Sequence, residues 1–235
     1  MKKIIFILIL ITFTSFTFSQ TGRDYYNRGT TKLNLEDYMG AIADFTKAIE
    51  LEPDDSQTYS NRGSAKCSLK DYRGAIVDYS KAIELNPNEA LLYQNRGFTK
   101  DNLKDYTDAL SDYTKAIELQ PDNAKYYHNK GTIKFKLEDY RGALIEFTKA
   151  IELQPNYEMA YLNRGNTKRR LEDYQGAIVD HTKAIELKPD YADAYFNRGI
   201  VKLILSQRES GCLDLSKAGE LGNGEAYEVI QKFCN

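Results

Sequence analysis

Along most of the chain, apolar side chains return after three or four residues, as in Tyr38, Ala41, Ile42, Phe45, Ala48, Ile49 and Leu51. This spacing puts them on one face of an α-helix and predicts an amphipathic helix with a single buried stripe. The stripe ends just before Pro53, and equivalent stripes end before Pro87, Pro121, Pro155 and Pro189. Proline cannot continue a helix and biases the preceding residue out of the helical region, so each proline closes a helix.

Those prolines are 34 residues apart, and much else keeps the same period. The tripeptide Asn-Arg-Gly begins at Asn27, Asn61, Asn95, Asn163 and Asn197, with Asn-Lys-Gly at Asn129. Tyr25, Tyr59, Tyr93, Tyr127, Tyr161 and Tyr195 stand two residues before them, and Ala48, Ala82, Ala116, Ala150, Ala184 and Ala218 follow in step. Counted from Gly22, six units occupy 22–55, 56–89, 90–123, 124–157, 158–191 and 192–225. A strict period of this length predicts an α-solenoid in which each helix pair buries the face of the next. Within each unit, Gly29 and its equivalents on the first helix are expected to meet Ala41 and its equivalents on the second.

With positions numbered from 1 within a unit, an aromatic stands at 4, Gly at 8, an aromatic at 17, Ala at 20, Phe or Tyr at 24, Ala at 27 and Pro at 32. This pattern closely resembles the tetratricopeptide (TPR) repeat. The resemblance implies an all-α, right-handed superhelix of antiparallel helix pairs whose first helices line a concave groove for a peptide or helix of another protein. Positions 7 and 11 depart from the family. Position 11, usually aromatic, is Lys32, Lys66, Lys100, Lys134, Lys168 and Lys202, and position 7, usually Leu, is Arg or Lys. Two cations four residues apart on a helix repel each other. The acidic residues at position 23 (Asp44, Asp78, Asp112, Glu146, Asp180 and Asp214) are their expected partners on the second helix.

The sixth unit breaks the pattern, with Arg208, Gly211, Leu215 and Asn223 replacing the second-helix aromatic, Ala, the next aromatic and Pro. Terminal repeats need a lid over the last hydrophobic face. Ala226, Val229, Ile230 and Phe233, at helical spacing after the Leu221-Gly222-Asn223-Gly224 turn, predict a capping helix in 226–235.

The first residues follow another plan. Lys2 and Lys3 precede an apolar run from Ile4 to Ile11, and Thr17 and Ser19 are small residues before a possible cut at Gln20. Residues 1–19 read as a secretory signal peptide, with an uncleaved N-terminal anchor as the alternative. Either way the rest is exported, to the periplasm or outside the cell, and is not itself membrane-embedded. A net charge of −2 from 32 basic and 34 acidic residues gives no field to attract nucleic acid.

Catalytic chemistry is sparse. His181 replaces the position 24 aromatic and reads as a packing residue; His128, at position 5, reads as a groove residue. There is no phosphate-binding glycine loop, zinc-protease helix motif or nucleophile elbow, so no cofactor, metal or small-molecule substrate is expected and the chain is not read as an enzyme. Cys67 reads as a free packing thiol. Cys212 and Cys234 both lie in the aberrant C-terminal region, where export favours their pairing as a disulfide.

The leading functional reading is a protein-interaction scaffold. Asn27, Asn61, Asn95, Asn129, Asn163 and Asn197, at position 6, would offer donors and acceptors to a peptide backbone, or else brace neighbouring helices. Lys125, His128, Lys136, Arg169 and Arg170, with Asp101 nearby to offset them, would favour an acidic partner segment over units four and five. The other readings are a structural cell-envelope component that self-associates through the solenoid ends, an RNA binder and a hydrolase.

Overall fold

The computed structural model describes residues 20–234, so the signal segment read at 1–19 lies outside the described residues. Thirteen helices and no strands occur among the described residues. The first helices of the units are α1 (Gly22–Asn34), α3 (Ser56–Ser68), α5 (Ala90–Asn102), α7 (Ala124–Lys136), α9 (Glu158–Arg170) and α11 (Ala192–Ile204). The second are α2 (Tyr38–Leu51), α4 (Tyr72–Leu85), α6 (Tyr106–Leu119), α8 (Tyr140–Leu153), α10 (Tyr174–Leu187) and α12 (Arg208–Glu220), and α13 (Glu225–Phe233) follows. Each helix packs on the next, making a solenoid of antiparallel pairs. The odd-numbered helices also touch one another along the row, so the row curves toward them and they form its inner face.

The turn inside each unit is built by backbone geometry. Glu36, Lys70, Lys104, Glu138, Glu172 and Ser206 all lie in the left-handed region, with φ between 60° and 63°. In the first unit this lets Asp37 N–H reach back to Lys32 C=O at 2.9 Å and Glu36 N–H to Leu33 C=O at 3.1 Å, which closes α1. Asp37 then caps α2 by accepting from Gly40 N–H at 3.0 Å. In the third unit Asp108 replaces that glycine, and Asp105 makes no side-chain cap bond.

The alanines at positions 20 and 27 of the first five units, with the ring at position 24, form the repeated core; Ala41, Phe45, Ala75, Ala82, Ala109 and Ala116 are completely buried. A Cβ on Gly29 would meet the Phe45 ring at 2.8 Å, and one on Gly63 the Tyr79 ring at 3.1 Å, so the glycine makes room first for the position 24 ring. In the sixth unit, where Leu215 replaces the ring, Gly199 also faces position 20, with Gly211 C=O 3.0 Å from a Cβ built on it.

The lid helix α13 packs Ala226, Val229, Ile230 and Cys234 against Leu215, Ala218, Phe196 and Leu203. Phe233, read as part of that buried stripe, is 48% exposed instead. Cys212 and Cys234 are bonded, with Cα atoms 5.8 Å apart, tying α13 to α12.

Candidate functional site

The first helices carry two kinds of polar side chain. Positions 7 and 11 point toward the paired second helix, where all six position 23 carboxylates hold both cations. Arg96 donates from Nε and a terminal nitrogen to the two oxygens of Asp112 at 3.0 and 2.7 Å, and Lys100 Nζ lies 2.9 Å from Asp112 Oδ2. In unit four Lys130 and Lys134 share Glu146 Oε1 at 3.3 and 2.7 Å. The longer carboxylate reaches out where the shorter cation falls back. In unit one the Arg28 hydrogen bond holds the Asp44 carboxyl below the usual range, against the opposing effect of burial.

Four of the five arginines also reach the unit before their own. Arg62 donates to Thr46 Oγ1 at 3.2 Å, Arg96 to Ser80 Oγ at 3.0 Å, Arg164 to Thr148 Oγ1 at 3.5 Å and Arg198 to Thr182 Oγ1 at 3.0 Å. Lys130 has no second arm and makes no such bond to Thr114; both line a shallow depression with Leu110 and Lys134.

The position 6 asparagines lie on the inner face but do not act alike. Asn61 Nδ2 donates to Tyr26 Oη at 3.4 Å and Asn163 Nδ2 lies 2.9 Å from His128 Nε2, so these two brace one repeat to the preceding one. Asn197 Nδ2 donates to Asp193 C=O within its own helix at 2.8 Å, and Asn129 Oδ1 is 3.4 Å from His128 Nδ1. Asn27 and Asn95 contribute only their backbone carbonyls, to Thr31 and Thr99, leaving their amides open.

The five basic residues read as one patch separate into three groups. His128 is buried between the rings of Phe147 and Tyr157, with centroids 5.6 and 5.0 Å away, and burial lowers its pKa. It is a neutral brace. Lys136 is taken up by Asp101, 2.6 Å from Oδ1. Lys125 lies at the opposite end of α7 from Lys136, about 16 Å along the axis at the ordinary helical rise. Arg169 and Arg170 remain together at the end of α9. Arg170 stacks on Tyr140 with its guanidinium carbon 4.8 Å from the ring centre, while Arg169 Nε is buried without a partner, as is Asn166 Oδ1 one turn earlier. A cavity of about 50 Å³ lined by Thr132, Phe135, Phe147, Asn163 and Asn166 opens beside them.

His181 is fully buried against Gly165 with neither ring nitrogen hydrogen-bonded. It cannot coordinate or shuttle protons to solvent; burial depresses its pKa to about 4. The sequence reading missed the last feature of this face. Ile200, Leu203 and Ile204 on α11 and Val229 and Phe233 on α13 enclose an apolar pocket of about 250 Å³. Its sequence signal is Ile204 at position 13, where the other units carry Asn34, Ser68, Asn102, Lys136 and Arg170.

Family models described as tetratricopeptide repeat match residues 23–55, 56–89, 90–123 and 124–157, and one described as TPR repeat matches 165–203. Among solved structures, the chain is similar to YrrB, described as "a TPR protein with an unusual peptide-binding site", at 27% identity over 80% of this chain and 97% of that one, with a TM-score of 0.64. MamA is 25% identical over 70% of this chain and 96% of its own, with a TM-score of 0.64. PilF of Pseudomonas aeruginosa, at 17% identity over 90% and 96% and a TM-score of 0.76, shares the fold alone. None of the curated proteins matches.

Proposed function

Because the chain belongs to the tetratricopeptide-repeat family, we propose that its inner face holds an extended segment of a partner protein. Fold and family support a protein-interaction scaffold. The observation that carries the finer reading is the row of position 6 amides along that face, with those of Asn27 and Asn95 open. A side-chain amide both donates and accepts, which suits the alternating groups of a peptide backbone. The solved structure of YrrB, itself described with a peptide-binding site, adds to it. Replacing Asn27 and Asn95 with Ala should weaken a captured partner while leaving helicity and melting unchanged. A variant that bound normally would make the row structural.

The reading includes export, which rests on residues 1–19. N-terminal sequencing of the protein made in cells tests it: a start at Gln20 supports cleavage, and Met1 retained in a cytosolic fraction overturns it.

A further inference from the structure

We infer that α5 docks an extended, uncharged partner segment that carries two adjacent apolar residues, one against Leu91 and the other against Phe98. The inference rests on the inner face being the partner-binding surface, and it names the chemistry of what lies across the third unit.

The site is one side of one helix. Leu91, Gln94, Asn95 and Phe98 follow at three- and four-residue spacing, so they share a face of α5. Asn95 belongs to the row of inner-face amides, which turns that face toward the groove. Leu91 is 48% exposed and Phe98 51%, so neither is spent on the core. They stand at positions 2 and 9, and in no other unit are both of these positions apolar. Between them, the side-chain amides of Gln94 and Asn95 bond to no described residue.

The unit before leaves room beside this stripe. Asn61 braces against Tyr26 and Asn163 against His128, each at position 5 of the preceding unit, but Asn95 finds only Ser60 there. Ser64, Cys67 and Ser68 continue the run of small side chains along α3. Thr99 Oγ1 lies 3.8 Å from Cys67 Sγ, so α3 is close and the low ground next to Phe98 comes from side-chain size.

Charge decides the occupant. The cations of α3, Arg62 and Lys66, are held by Asp78, and those of α5, Arg96 and Lys100, by Asp112. The one other charge on either helix, Asp101, holds Lys136. Every charge is answered inside the chain, so a charged side chain brought onto this surface would lose water without gaining a partner. An uncharged segment meets no such cost, and its backbone has the donors and acceptors that two open amides match. At the ordinary helical rise, Leu91 and Phe98 lie about 6 and about 4.5 Å along the axis to either side of Asn95. Successive side chains of an extended strand point to opposite sides. A strand crossing α5 with its edge on Asn95 therefore sends one side chain to Leu91 and the next to Phe98. A few such anchors supply most of the energy of a binding surface.

The test is selection of short random peptides displayed on phage against the purified, oxidised chain. A fluorescein-labelled synthetic peptide of the resulting consensus is then measured by anisotropy. The expected consensus has two adjacent residues drawn from Leu, Ile, Val, Met and Phe, with no charged residue next to them. Leu91→Ser and Phe98→Ser should each weaken the peptide by roughly tenfold or more, with helicity unchanged because half of each side chain is already in water. Ile204→Ser, in the apolar pocket beside α13, should leave the affinity as it is. An acidic or basic consensus, full affinity in Leu91→Ser or Phe98→Ser, or a loss in Ile204→Ser overturns the inference. If affinity falls with Asn27→Ala or Asn95→Ala but not with the Leu91 and Phe98 variants, the α5 site fails and the inner-face reading stands. If none of these matters, or no peptide is enriched, both fall.

Discussion

The guanidinium of Arg62 lies edge-on to the carboxylate of Asp78, with Nε and a terminal nitrogen donating to its two oxygens at 3.0 and 2.7 Å. Lys66 Nζ is 2.7 Å from the same carboxylate, whose side chain is only 2% exposed. Removing Asp78 leaves two partly buried cations facing each other. Asp78→Ala should lower stability by about 3 kcal/mol or more, whereas pairing it with Arg62→Met should recover part of the loss. Chemical denaturation of both variants checks this; a loss as small as that of an exposed pair would contradict it.

The six left-handed turn residues offer a gain instead. Lys104 and Glu138 hold φ of 62° and 61° with a Cβ attached, a conformation that costs roughly 1–2 kcal/mol in a residue other than glycine. Glycine removes that strain but gives the unfolded chain more freedom, worth about 0.4–1 kcal/mol. Lys104→Gly and Glu138→Gly should each raise stability by about 0.5–1 kcal/mol on balance. Thermal melts of the two single variants and the double measure it, with near-additivity expected for separate turns.

His181 makes the fold sensitive to mild acid. Its folded pKa, about 4, lies below the ordinary histidine value, so between those two values the unfolded chain binds the extra proton. Stability is therefore intact above about pH 6.5 and falls as pH drops toward 4, by roughly 3 kcal/mol in all. His128, shifted the same way by burial, adds to the slope. His181→Phe, the residue that Phe45 and Phe147 provide in other units, should raise the melting temperature and flatten its pH profile between 6.5 and 4. An unchanged profile would mean that the ring is hydrated in solution.

The bond between Cys212 and Cys234 spans 22 residues of sequence, for which chain-entropy models give about 3 kcal/mol. Cys234→Ser should melt the lid and last repeat ahead of the rest, visible as a separate early transition. Mass mapping of the unreduced protein should recover the linked peptide.

The repeat boundaries, the helix spacing and the position 7, 11 and 23 ion pairs were legible because each is local or recurs six times. What escaped depends on which neighbour a side chain meets. Gly29 signals close approach, but the sequence does not say that the nearest approaching group is the Phe45 ring. His128 looks like an inner-face charge until Phe147 and Tyr157 close over it. The same uncertainty splits the asparagines: Asn61 and Asn163 find a polar residue at position 5 of the preceding unit, Tyr26 and His128, whereas Asn95 finds Ser60, too short to reach. The pocket at Ile204 needs α13 in place before it exists at all.

Lys130 has a consequence beyond its own ion pair. Repeat arrays unfold and bend according to how strongly each unit is coupled to its nearest neighbour. From the second unit to the sixth, arginine ties each step to the hydroxyl before it, except between units three and four, where Lys130 stops short of Thr114. The Lys136–Asp101 ion pair spans that same step instead, so the coupling of units three and four rests on a partly exposed charge pair, which added salt screens.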